Sequence, residues 1–122
     1  MKAKISALAL LSSIALAGAA HAECSRPPAP TIPDGASASQ EEMVAGQKAV
    51  KAFVSETNTF LDCLEKEEKD AAAKAEAAGT PMKPEDHNVY VERYNAGVDD
   101  MQKVADSFNM QLHTYLDKNK KN

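Results

Sequence analysis

Between Met43 and Leu64 the apolar residues return every seven positions. Met43, Val50, Thr57 and Leu64 fall on one line, and Gly46, Phe53 and Phe60 on its neighbour. Val54 and Leu61 widen the stripe, and Lys48, Lys51, Ser55, Glu56 and Asp62 take the opposite side. That period belongs to one face of a long amphipathic helix, not to a strand. Ser39 and Glu42 stand at capping-box spacing just before it, and Glu41 and Glu42 suit the positive end of the helix dipole. Past Leu64 the composition turns to charge and alanine, with Glu65–Lys69 and Asp70–Lys74 paired four apart. No breaker comes before Gly79, so the first helix is expected over about 39–78, with Gly79 as its C-cap and Thr80-Pro81 as its stop.

A second stripe answers the first. Pro84 suits the first position of a helix, with Glu85 and Asp86 in its opening turn. His87, Val91, Tyr94, Val98, Met101, Ala105, Phe108, Leu112 and Tyr115 then follow in steps of four and three, widened by Tyr90 and Val104. This helix is expected over about 84–117, fraying after Asp117. Folding about the turn at Gly79–Lys83 sets residue i against a residue near 162 − i, which pairs Phe60 with Met101, Leu64 with Val98 and Gly46 with Tyr115. The fold class expected is therefore all-α: an antiparallel two-helix hairpin with coiled-coil-like packing, a domain over 39–118.

The first twenty-two residues read as a secretory signal peptide. Lys2 and Lys4 form the basic start, Ile5 to Leu16 the apolar run, and Ala20-His21-Ala22 the small-residue cleavage site before Glu23. The run is too short for a membrane anchor, which needs about 20 apolar residues. Cys24 raises the alternative of a lipoprotein, but Glu23 occupies the place where that signal wants a small residue. The whole chain has 122 residues and carries 14 Lys and Arg against 18 Asp and Glu, a net −4. Removing Lys2 and Lys4 takes this to −6, which argues against nucleic acid as a partner. Localisation is expected to be the periplasm, with full secretion as the alternative.

Export also decides the cysteines. Cys24 and Cys63 enter an oxidising compartment, where pairing is the default. Closing a loop of about 40 residues should stabilise the fold by about 4 kcal/mol on the chain-entropy account. Residues 23–38 hold Pro27, Pro28, Pro30 and Pro33, so this arm is extended rather than helical. Fifteen residues at about 3.1 Å each reach roughly 46 Å, and Ser39 to Cys63 on a helix spans about 36 Å. The arm can therefore double back along the first helix to its disulfide and cover part of the stripe with Ile32 and its prolines.

No catalytic constellation emerges. Ser55 and Ser107 lack a histidine and acid in a recognisable turn, no glycine-rich phosphate loop exists, and the cysteines are too far apart for a redox Cys-x-x-Cys. The six aromatics lie on the inner stripes, and the methionines are spread along the rod rather than clustered as a copper site wants. His87 beside Glu85 and Asp86, and His113 four residues before Asp117, are the only fragments of a metal site, and neither supplies three ligands. The chain is read as a non-enzyme without cofactor. Its outline resembles small envelope chaperones and adaptor proteins, a likeness of shape without a shared motif. The function expected is protein–protein interaction as an envelope chaperone or adaptor, through a contact surface of Met43, Val54, Leu61, Met101 and Val104. The alternatives are a periplasmic small-ligand or metal carrier centred on His87 or His113, and a purely structural homodimer.

Overall fold

A computed structural model describes residues 23–121; the expected signal peptide lies outside the described residues. Two helices pack against each other, and no strand occurs among the described residues. The first, α1, spans Gln40–Ala77 and the second, α2, spans Pro84–Lys120.

Local chemistry sets each end. Ser39 caps α1 in an extended conformation, its hydroxyl accepting from the Glu42 N–H at 3.2 Å. The Glu42 carboxylate accepts from the Ser39 N–H at 2.7 Å, completing the reciprocal box. At the other end the C-cap is Ala78, not Gly79. Gly79 stands one residue beyond it at φ 68°, where the left-handed conformation favours a residue without Cβ. The Gly79 N–H then reaches Glu76 O and the Thr80 N–H reaches Ala75 O, both at 3.0 Å, the paired bonds of a Schellman turn. Pro84 opens α2 with Glu85 and Asp86 behind it. α2 runs past Asp117 to Lys120: Asn119 Nδ2 donates to Tyr115 O at 2.8 Å, and Lys118 Nζ donates to Ala38 O at 3.3 Å. Both stabilise a terminus that its basic residues already favour.

The core forms two clusters along the rod. One joins Cys24, Phe60, Leu61 and Leu64, with Tyr90, Tyr94 and Met101 packed around them. The other joins Ala38, Met43 and Phe108, flanked by Ile32, Val50, Leu112 and Tyr115. Between them Thr57 is 1% exposed, and its hydroxyl donates to the Phe53 carbonyl at 2.8 Å, so the one buried polar side chain among the described residues is satisfied within its own helix.

The helices pair in a different register from the one their stripes imply. A Cβ on Gly97 would lie 3.0 Å from Leu61 Cδ2 and 3.2 Å from Phe60 Cε1. The expected zipper set Met101, not Gly97, opposite Phe60, so α2 sits about one turn further along. The loop explains the slip. Residues 79–83 are not helical, and an extended residue advances about 3.3 Å against about 1.5 Å in a helix. The loop therefore returns alongside the last turns of α1, and α2 starts beside Ala71 and Glu68, where Met82 and Asp86 share a groove with them. Gly46 likewise does not face Tyr115. Its missing side chain makes room for Pro33, whose ring carbons stand 2.7 Å from where a Cβ would be.

Candidate functional site

The arm occupies one side of the hairpin. Cys24 is disulfide-bonded to Cys63 and only 6% exposed. Its N–H donates to Glu67 Oε1 at 3.2 Å, and its carbonyl accepts from Arg93 at 3.0 Å. Arg93 also donates to Glu67 Oε2 at 3.2 Å and lies over the Phe60 ring, 5.9 Å from its centre. Further along, Arg26 Nε donates to Asp100 at 2.7 Å, and its second nitrogen reaches Ala96 O at 3.4 Å. Gly35 meets the backbone of α2 so closely that a Cβ would lie 2.8 Å from Gln111 C, and its N–H donates to the Gln111 side chain at 2.8 Å. An Asp34 turn finishes the arm: its backbone carbonyl accepts from Ser37 and Ala38, and its carboxylate from Ala36 and the Ser37 hydroxyl.

These contacts use one edge of each helix. On α2 they fall at Arg93, Ala96, Asp100, Gln111 and Lys118. On α1 they fall at Gly46, Cys63 and Glu67. At 100° per residue, the edge of α2 on the far side of the seam carries Val91, Tyr94, Val98, Met101, Ala105, Leu112 and Leu116. Val91, Val98 and Leu116 are 37%, 38% and 44% exposed, and the other four half-buried. The matching edge of α1 adds Val50 and Val54, both half-buried. At the foot of this open seam Gln40, Val44, Gln47, Leu112 and Tyr115 line a shallow cavity of about 140 Å³ over Met43 and Phe108.

The borders of the open seam carry amides. Asn88, Asn95, Gln102 and Asn109 recur every seventh residue along its outer edge on α2, and on α1 Gln40, Gln47 and Asn58 share the edge with Lys51, Asp62 and Glu65. In a chain with 26% charged residues, the row of four amides along α2 is a local departure towards the composition of an interface.

The residues expected to make the contact surface divide between core and seam. Met43, Leu61 and Val104 are 4%, 6% and 7% exposed and belong to the interior, whereas Val54 and Met101 remain half-buried along the open seam. The sequence reading missed Arg26, Arg93 and Gly35. For the first two a signal existed: Arg26 and Arg93 are the only arginines among 14 basic residues, and both hold the arm, where a planar fork binds better than an ammonium.

The histidines have local occupations. His87 Nδ1 is 2.6 Å from Glu68 Oε1, tying the start of α2 to α1. His113 and Asp117 are both exposed, and Asp117 is 3.8 Å from Lys120. Among the described residues, the one cluster of three potential metal donors is Cys24, Cys63 and Glu67. Its two sulfurs are joined to each other, so they offer no thiolate in this state.

Among the described residues, two ionisations depart from ordinary behaviour. The hydrogen bonds from the Ser39 backbone and hydroxyl lower the Glu42 pKa from 4.5. Desolvation, then the neighbouring Glu65, raises that of Tyr90 from 10.0. Among the described residues no helix is long and apolar enough to cross a membrane. No protein-family model, curated protein or solved structure matches the chain.

Proposed function

We propose that this chain is an exported, non-catalytic helical hairpin that acts by protein–protein contact, an envelope adaptor whose binding face is the open seam. The arm, tethered through Cys24–Cys63 and laid in the opposite groove, belongs to the scaffold of the coiled-coil-like pair and frees one face for a partner. The observation that carries this reading is the seam itself: Val91, Val98 and Leu116 stand exposed on one line of a long helix, with a row of amides beside them. A chaperone groove lined by Met43, Leu61 and Val104 is less well supported, because these side chains already fill the interior.

Export follows from the Ala20-His21-Ala22 site, and N-terminal sequencing of the accumulated protein should begin at Glu23. For the contact face, a photo-activated crosslinker placed in turn at Val98 and Asp99 in the native compartment gives the test. Adducts from 98 and none from 99 support the seam; equal yields or none at either position would overturn it. A metal carrier built on His87 or His113 predicts a higher melting temperature with zinc, copper or nickel, and an unchanged temperature in excess metal removes it.

A further inference from the structure

We infer that the open seam is self-complementary and that its occupant is a second copy of this chain, paired antiparallel with the two turns at opposite ends. This rests on the seam being the contact face and goes further by naming what covers it. Three observations converge. The first is charge. A surface that meets its own copy about a two-fold axis must avoid like charges near that axis. Here the residues nearest the axis on the border are the neutral Asn58, Asn95 and Gln102, with Asp62 one turn further out.

The second is complementarity off the axis. Turning one hairpin end for end over the other, about an axis at Asn58, lays α1 on α1 and α2 on α2 in opposite directions. Lys51 then meets Glu65 of the partner subunit, seven residues from the axis on either side, and the symmetric contact repeats it. Because Gly97 lies against Leu61 and Phe60, the same axis crosses α2 between Val98 and Met101. Those two side chains meet each other's counterparts, and Tyr94 comes over the small Ala105. One axis therefore sets Tyr94 on a small residue and Lys51 on an opposite charge.

The third is size. About this axis the two copies overlap along α2 from Pro84 to Tyr115, about 47 Å, with apolar strip on apolar strip from Val91 to Phe108. At about 18 Å across two packed helices the overlap offers roughly 800 Å² per copy, a little over half of it strip on strip, against the ~800 Å² per partner of a stable interface. The product is a four-helix bundle whose outer faces carry the two arms.

Sedimentation equilibrium of the processed chain, disulfide intact, decides the matter. Wild type should run as a dimer with a dissociation constant near micromolar. Val98→Asp, at a position already exposed in the single hairpin, should give a monomer with unchanged helicity and melting at dilution. Lys51→Glu should weaken pairing at least about tenfold, and Lys51→Glu combined with Glu65→Lys should restore it. A wild-type monomer up to about 100 μM, or a dimer indifferent to both Val98→Asp and Lys51→Glu, overturns the inference. A monomer whose crosslinker at position 98 captures a different protein overturns self-pairing and leaves the seam as contact face. A monomer without adducts at position 98 removes both.

Discussion

A methyl group at Gly35 would sit 2.8 Å from Gln111 C and 2.9 Å from the Tyr115 nitrogen, both backbone atoms that cannot step aside. Gly35→Ala should therefore lift the arm from α2 and destabilise the fold by about 1–3 kcal/mol, read from urea unfolding. Glu42 makes a different kind of prediction. Its folded pKa is lowered from 4.5, so the stabilisation it gives is fully present above that value and is lost as pH falls through the folded value. Far-ultraviolet circular dichroism should show α1 fraying in that window, and Glu42→Gln should remove this contribution to the pH dependence. At this scale the cap was legible, because Ser39 and Glu42 bond each other across only three residues. The arm's anchors were not: Gly35 and the two arginines act on residues about seventy positions away, which no local pattern encodes.

For the elements, the amphipathic stripes dictated two long helices and their turn, since each needs only neighbours three and four residues away. Their mutual register was a different matter. The stripes are periodic, and a periodic pattern fits itself equally well after a slip of one turn. What chose among registers was the path of residues 79–83 and the gap at Gly97, where Leu61 and Phe60 insert. Gly79→Ala should cost about 1 kcal/mol at φ 68° without altering the fold, since nothing lies within 4 Å of the added carbon. The element most dependent on a single bond is the arm. Reducing Cys24–Cys63 should lower stability by about 2–4 kcal/mol. It should also make residues 23–33 the first segment to exchange amide hydrogens, because the contacts of Cys24 with Glu67 and Arg93 hold that end.

For the whole molecule, two helices leave two grooves, and one arm fills one of them. The side it leaves carries an apolar line of a kind that monomers rarely leave uncovered. Met101 and Met110 make that claim measurable. Met101 lies on the open seam, and Met110 lies away from it at 61% exposure. Their rates of oxidation by dilute peroxide, followed by mass spectrometry at low and high protein concentration, report directly on whether the seam is covered. Met101 should become protected several-fold as concentration rises while Met110 keeps its rate; equal rates for Met101 at both concentrations, with Met110 as the internal standard, would contradict a self-pairing seam.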